Sequence, residues 1–431
     1  MKKQRSLILV TIILMVAVLA SACGSAPSPA PVPTSTKPPT ETPLPPTPTL
    51  TPEPTATATI TPTPAPVGAC KLQSQLFAEY KQDKGTPTLP SLGTVKTAVL
   101  FVDFSDAQAS ITPDELFAKY FPDAQKYFAE VSYGKMDWQV EPHFVWLRLS
   151  KLSTFYGNAM HSSSGHKEFI QDAINLVDKD IDFSSVDSVI VMVPPEAKGV
   201  VYGSAWLGGY GDAYKADGKS FSTGATTGVD LPAFGFHWFD QAIGRAMGLK
   251  FLWTLQNNSF ESAHRFAGDF SLMGNMTGSA PGFFAYERWE LGWLDDSQII
   301  CQEQGEATVT ISPVETDGGA KAVIVPIGEP RITLGHGTTA VMGRYQGIVV
   351  ELRRATGVDA KLAKPGVLVY LVDNSLSEGQ GPFSIFPEIN GDPFHLQSPL
   401  AVGDSVTVEN VTVTVISSTD AGDTVKITVN P

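Results

Sequence analysis

A segment rich in proline and threonine divides this chain of 431 residues into parts with different folding capacity. Residues 24–67 contain 15 prolines among 44 residues and almost no aliphatic or aromatic side chains. Such a composition cannot build a hydrophobic core and favours extended polyproline II, which rises about 3.1 Å per residue. We therefore predict a stalk over residues 23–67, on the order of 100 Å long when extended, with folded structure only after it.

The residues before the stalk have the layout of a secretory signal. Three basic residues precede an apolar stretch from Leu7 to Ala20, which is shorter than the about 20 apolar residues of a membrane-spanning helix. The junction LASACGS is similar to a bacterial lipobox, so residues 1–22 are predicted to be a lipoprotein signal peptide and Cys23 the lipidated N-terminus. Plain secretory cleavage nearby is the alternative. We expect an extracytoplasmic protein whose lipid anchor binds the bacterial cell membrane.

Two further cysteines follow, Cys70 and Cys301. Because an oxidising exterior permits disulfides, we predict a Cys70–Cys301 bridge between the start of the globular region and the junction of its two parts. Two separate buried thiols are the alternative.

The charge balance argues against nucleic acid as a partner. The formal net charge is −14, and removal of the three basic residues of the signal leaves −17. The rest of the chain has no cluster of basic residues, which nucleic-acid binding requires.

The globular sequence changes character near residue 300. Up to about residue 200, apolar β-rich runs alternate with segments of helical spacing, such as a helix with Thr112 as its N-cap and Pro113 at its first position. The glycine-rich segment 203–218 is predicted to be a loop. After Cys301, short β runs are separated by Pro, Gly, Asn and Asp. We predict an α/β domain over residues 68–300 and a β-sandwich over residues 301–431.

One segment has the form of a catalytic helix. Residues 236–253, FHWFDQAIGRAMGLKFLW, contain Gly248 where a helix would end, and Gln241 and Arg245 share one face of that helix. The same spacing carries the two histidines of the H-E-x-x-H motif in zinc proteases.

The flanking segments resemble the immune inhibitor A family of secreted bacterial metalloproteases. The similar segments, in family order, are VLFVDFSD, YFAEVSYGKM, GDFSLMGN, PGFFAYERWELGWL and IVVELRRATGVDAKLAKPGVLVYLVD. The resemblance extends from about residue 95 to the C-terminus. It implies a zincin-like fold for the α/β domain, with Met273 in a methionine turn beneath the metal site.

Carried onto this chain, the family's metal-binding motif has lost its chemistry. The first histidine falls on Gln241, the catalytic glutamate on Ala242, the second histidine on Arg245 and the acidic position on Phe251. Glutamine is a poor zinc ligand, phenylalanine has no lone pair to donate, and a guanidinium places a positive charge where the cation would bind. Alanine cannot act as a base. We therefore expect no cofactor, and the sequence gives no ground for assigning calcium.

Arg245 has three interpretations. It replaces the zinc and is held by a carboxylate such as Asp240 or Glu261, or it reaches solvent in an unused cleft. In the third interpretation it binds a carboxylate of a ligand.

A relocated metal site built from His237, Asp240 and His264 is a further alternative. The remaining histidines show no ligand spacing, and we expect them at the surface or in turns; they are His143, His161, His166, His336 and His395.

These observations predict a surface-anchored lipoprotein with a catalytically inactive protease-like domain that binds a peptide, a protein or an envelope component. The alternative from the enzyme class is a zinc metalloendopeptidase with non-standard ligands. A structural surface protein is the third hypothesis.

Overall fold

The computed structural model describes residues 67–73, 88–207, 214–254, 259–334 and 340–431. The predicted signal peptide, Cys23 and residues 24–66 of the predicted stalk lie outside the described residues. The chain divides into two units, Met1–Thr59 and Ile60–Pro431, and all described residues belong to the second. Within the described ranges, no helix combines the length and the apolar character needed to span a membrane.

The first half of the described chain is built on a five-stranded sheet. Its strands, with a small hairpin of β5 and β6, are β1 (Gly93–Asp103), β2 (Met136–Arg148), β3 (Ser188–Met192), β4 (Ser204–Leu207), β5 (Tyr214–Ala216), β6 (Lys219–Phe221) and β7 (Thr223–Thr226). The order in the large sheet is β2-β1-β3-β7-β4. The strands β2, β1, β3 and β7 are parallel, whereas β4 runs antiparallel to β7 at one edge.

Helices cover both faces of this sheet. They are α1 (Pro113–Ala118), α2 (Phe121–Val131), α3 (Ser153–Ala159), α4 (Ser163–Asn175), α5 (Leu231–Phe234), α6 (His237–Ala246), α7 (Phe260–His264) and α8 (Ala285–Glu290). The predicted start of α1 is confirmed: the Thr112 hydroxyl accepts a hydrogen bond from the Glu115 N–H, and Pro113 is the first helical residue.

The alternation of side chains along β1 explains why helices pack on two sides. Val95, Val99 and Phe101 belong to a buried cluster that includes helix α6, whereas Leu100 and Val102 belong to a second buried cluster that includes helix α4. Successive residues of a strand point to opposite faces, so a strand buried on both faces is apolar throughout.

The region after residue 298 is rich in β-structure. Its strands are β8 (Ile299–Cys301), β9 (Gly305–Ile311), β10 (Ala322–Ile327), β11 (Arg331–Leu334), β12 (Ala340–Gly343), β13 (Gln346–Arg353), β14 (Gly366–Asp373), β15 (Phe383–Phe386), β16 (Ser405–Val408), β17 (Val411–Thr419) and β18 (Gly422–Val429). They form sheets with the orders β15-β14-β13-β10-β8 and β16-β17-β18-β9, besides a β11-β12 pair. Residues of the two larger sheets share one buried cluster. A mixed α/β region followed by a β-rich region was predicted, and this coarse architecture is confirmed.

The two regions share a continuous core. Along β10, Val323 and Val325 face the cluster between the β-sheets, whereas Ala322 and Ile324 belong to the cluster of the α/β region. A disulfide joins Cys70 to Cys301, with their Cα atoms 5.7 Å apart.

A buried arginine adds a polar connection between the regions. Arg353 in β13 forms ion pairs with Glu351 and Asp359 and donates a hydrogen bond of 2.8 Å to the Gly282 carbonyl. Residue 282 lies just before α8. The segments that resemble the protease family on either side of residue 300 are thus in direct contact.

Candidate functional site

Helix α6 carries the positions of the degenerate motif. It begins at His237, and Gly248 with a φ of 103° follows its end, as the sequence predicts. Met273 lies beneath the helix and is fully buried. If residue 244 had a Cβ atom, that atom would lie only 2.9 Å from the Met273 Sδ, which is too close for an ordinary contact. The absence of a side chain at residue 244 therefore allows this close packing of the methionine against the helix.

Gln241 and Ala242 are both packed into the protein. The Gln241 amide donates a hydrogen bond of 2.9 Å from Nε2 to the Leu272 carbonyl, and its side chain is 9% exposed. Ala242 is 6% exposed. The amide of Gln241 thus ties helix α6 to the segment that contains Met273.

Arg245 forms a double ion pair with Glu378, which follows β14 in the chain. Its Nη1 lies 2.9 Å from Oε1 of Glu378, and its Nη2 donates to Oε2 at 3.2 Å. The guanidinium also lies over the Phe251 ring, 5.3 Å from the centroid, and the Phe251 N–H donates to Oε1 of Glu378 at 3.3 Å. Two of the four predicted motif positions, Arg245 and Phe251, therefore belong to one packed group with Glu378.

Arg245 has a carboxylate partner, as expected, but that partner is Glu378 and not Asp240 or Glu261. Asp240 is fully buried and contacts His237, while Glu261 lies exposed in helix α7. Arg245 does not simply extend into solvent: its side chain is 20% exposed, and its guanidinium is paired with Glu378.

The loop between β14 and β15 brings Glu378 to the site. Two backbone carbonyls of the loop accept further hydrogen bonds. Lys250 Nζ donates to the Leu376 carbonyl, and Thr254 Oγ1 donates to the Gly379 carbonyl. The β-rich region therefore contributes directly to the surroundings of helix α6.

A cavity of about 300 Å³ adjoins Arg245 and Phe251. Its other walls come from the end of α3 and the start of α4, which includes Ser162 and His166, and from Ser204 and Ala205 of β4. A Cβ at Gly203 would lie 2.4 Å from the Trp238 ring, so the start of β4 packs directly on helix α6.

His166 differs from the prediction of a surface or turn residue. It is 3% exposed, and its Nε2 lies 3.0 Å from Oγ1 of Thr226 in β7. Burial lowers the pKa of His166 to about 4, so its ring is neutral at neutral pH. His395 is also buried, with hydrogen-bond contacts to Ser398 and to the Arg265 carbonyl.

The prediction that residues 203–218 form a loop is also wrong. The described part of this segment contains β4 and β5. Strand β4 pairs with β7 on one side, and among the described residues no strand pairs with its other side. The sequence did not predict this edge strand or the cavity next to it.

The structure does not bring the alternative metal ligands together. His237 Nδ1 lies 3.2 Å from Oδ2 of Asp240, whereas the ring of His264 contacts Phe260 and Phe394. Burial lowers the pKa of His237 to about 4, so its ring is neutral at neutral pH. Burial also raises the pKa of Asp240 well above its usual value. Within the described ranges, no three His, Cys, Asp or Glu side chains form a group that could hold a metal ion.

Comparisons of the chain with protein-family models and with curated proteins find no match.

Proposed function

We propose that this chain is a non-catalytic homologue of secreted zinc metalloproteases of the immune inhibitor A type, and that it binds an extended peptide segment of another protein. The zincin-like fold, the lipid anchor at Cys23 and the position outside the cell membrane are parts of the same proposal. A disulfide between Cys70 and Cys301 supports an oxidising compartment.

The chemistry of the motif positions supports the loss of zinc. Gln241 uses its amide as a donor to a backbone carbonyl, and Arg245 is a cation whose charge is matched by Glu378. Phe251 and Ala242 offer neither a ligand nor a base. These residues do not fit a zinc ion, and we derive no hydrolytic step from them.

The bidentate Arg245–Glu378 pair is the observation that carries this part of the proposal. A fixed cation at the position of the second histidine repels a metal ion. The pair also packs against Phe251. The Arg245 guanidinium lies over the Phe251 ring, and Glu378 accepts a hydrogen bond from the Phe251 N–H.

The side of β4 on which no described strand pairs supports peptide binding. An edge strand exposes backbone N–H and C=O groups, and an extended peptide can add to it as a further strand. The adjacent cavity, which Ser204 and Ala205 help to line, would receive one peptide side chain. Binding of this kind requires no metal ion and no catalytic base.

Alternating N-methylation of a bound peptide tests this mode. Fluorescent, unstructured peptides would be titrated against the full chain with a chelator present, and binding followed by anisotropy. Two peptides would each carry a methyl group on every second backbone nitrogen, one on the odd and the other on the even positions. The peptide that loses the N–H groups donating to β4 should not bind, whereas the other should bind almost like the unmodified peptide. Equal effects of both registers, or no bound peptide, would contradict the proposal.

Two protein variants test whether the peptide binds next to β4. Ser204→Trp narrows the cavity at an exposed position and should weaken binding about tenfold or more. Val201→Trp changes an exposed residue that does not line the cavity and serves as the matched control. Equal affinities of the two variants would contradict binding at β4.

A further inference from the structure

A second cavity lies at the other end of helix α6, where the α/β region meets the β-rich region. Its volume is about 370 Å³, and residues of helix α2, of the start of α6 and of the segments 278–281 and 357–361 line it. A Cβ at Gly357 would collide with Oε1 of Glu130, so the segment after β13 packs directly on α2. We call this space the junction cavity.

Three rings form one wall of the junction cavity. The centroid of the His237 ring lies 4.2 Å from that of Phe236 and 5.5 Å from that of Tyr127. Tyr127 donates a hydrogen bond of 2.8 Å to the Pro281 carbonyl, and Nδ1 of His237 lies 3.2 Å from Oδ2 of the buried Asp240. These contacts fix the wall in advance, which reduces the entropic cost of binding a ligand there.

Two buried polar atoms at this wall have no hydrogen-bond partner in the described part of the chain. They are Oγ of Ser279, which lines the junction cavity, and Oδ1 of Asp240, which holds His237 through its other oxygen. Because a buried polar atom without a partner destabilises the fold, such atoms are rare in folded proteins. A hydroxyl can donate and accept a hydrogen bond, and a polar ligand in the junction cavity would supply the missing partner of Ser279.

Charged side chains of both signs surround the junction cavity. Asp123, Lys126 and Glu130 share one face of helix α2, where residues three or four apart have Cβ atoms about 5–6 Å from each other. Lys361 is the fourth charged residue of the lining. No ion pair joins any of the four to another described residue. Two positive and two negative side chains therefore face one small space without neutralising each other in pairs.

The charges act on different members of the His237–Asp240 pair. Burial and, after it, the positive charge of Lys361 lower the pKa of His237 to about 4. Burial and, after it, the negative charge of Asp123 raise the pKa of Asp240 well above its usual value. The junction cavity thus presents a positive group near one member of the pair and a negative group near the other.

We propose that the junction cavity binds a small zwitterion, a molecule with one ammonium and one carboxylate group such as a free amino acid. Lys126 and Lys361 would hold the carboxylate, and Asp123 and Glu130 the ammonium. The hydroxyl of Ser279 would form a hydrogen bond with the ligand, and the three rings would pack against its side chain. This inference is independent of the proposed peptide binding at β4.

Three related compounds test the need for both charges. L-phenylalanine, its amide without the carboxylate, and its N-acetyl derivative without the ammonium would each be titrated into the full chain by calorimetry. Each derivative should bind at least about tenfold more weakly than L-phenylalanine, because each loses charge-assisted hydrogen bonds. Glycine should bind more weakly as well, because it has no ring to pack on the wall. Equal binding of the three compounds, or no binding of either amino acid, would overturn the proposal.

Ser279→Ala tests the unpartnered hydroxyl. Because Oγ has no partner in the protein, the variant should be as stable as the wild type in urea denaturation. It should bind L-phenylalanine about fivefold more weakly, since one hydrogen bond to the ligand is lost. Ser417→Ala changes an exposed serine of β17 outside the junction cavity and is the matched control. Equal affinities of the two variants would contradict the site.

Lysine variants test which charge holds the carboxylate. Lys361→Gln should lose about tenfold in affinity for L-phenylalanine and almost nothing for the amide, which has no carboxylate. Lys198→Gln removes the same charge at an exposed position outside the junction cavity and should bind like the wild type. Ser204→Trp, which narrows the cavity beside β4, should leave amino-acid binding unchanged. Loss of binding in that variant would place the ligand at β4 and overturn the proposal.

Discussion

The guanidinium of Arg245 and the carboxylate of Glu378, 133 residues apart in the sequence, are joined by contacts of 2.9 and 3.2 Å. The pair links the end of helix α6 in the α/β region to a loop of the β-rich region. The pair lies at the position that the proposed alignment assigns to a metal ligand of zinc proteases.

Glu378→Gln should destabilise the fold by about 1–3 kcal/mol, because it leaves a mostly buried guanidinium without its countercharge. Urea denaturation of the wild type and the variant measures the difference. The control is Glu306→Gln, which breaks an exposed pair with Lys426 and should cause little measurable change. A variant at residue 378 that is as stable as the control would show that the pair is not structural.

Restoring the motif should restore a metal site. We expect the quadruple variant Gln241→His, Ala242→Glu, Arg245→His and Phe251→Asp to bind zinc stoichiometrically, because helix α6 still presents residues 241 and 245 on one face above Met273. A variant with the other three changes but with Arg245 retained is the control and should bind none. A folded quadruple variant without zinc would argue against the alignment with the protease motif.

Stability should fall in mild acid because of His166. Its pKa is about 4 in the folded protein and about 6.5 in an unfolded chain. The full stability of the fold is therefore present above about pH 6.5, where His166 is neutral in both states. It falls as the pH decreases towards 4, because the histidine of the unfolded chain takes up a proton first.

The loss attributable to His166 approaches about 3 kcal/mol, and His166→Gln should remove it. Denaturation curves between pH 7 and pH 4 compare the slopes of stability against pH for the two proteins. Identical slopes would mean that residue 166 is not a buried neutral histidine.

Reduction of the Cys70–Cys301 disulfide should destabilise the protein by about 3–5 kcal/mol. The bond spans a sequence separation of 231 residues, and cross-linking a long loop restricts the unfolded chain strongly. Thermal unfolding of the protein with and without reductant, and of the double variant Cys70→Ala with Cys301→Ala, measures the effect. Two reactive thiols in the folded, unreduced protein would contradict the bridge.

Local patterns predicted local structure well. Thr112 caps helix α1, and Gly248 follows the end of helix α6, because capping and a positive φ depend on residues close in sequence. The apolar, β-rich run that begins at Ala98 likewise predicted a strand, and it lies in β1.

The surroundings of the site depend on contacts that no local pattern contains. Glu378 reaches Arg245 through the packing of a distant loop, and His166 is buried against Thr226, which is 60 residues away. Strand β4 has only four residues and lies next to a glycine-rich segment. Four residues are too few to show the alternation of apolar and polar side chains that predicts a strand. Proximity in sequence favours Asp240 and Glu261 as partners of Arg245, whereas the partner in the structure is the distant Glu378.

The zinc content of the full chain tests the central claim most directly. The purified protein would be incubated with excess zinc and separated from unbound metal by gel filtration. Its zinc content would then be measured by inductively coupled plasma mass spectrometry. We predict zinc far below one ion per chain, because Gln241, Arg245 and Phe251 do not form a ligand set. Retention of one zinc ion per chain would contradict a scaffold that has lost its metal chemistry.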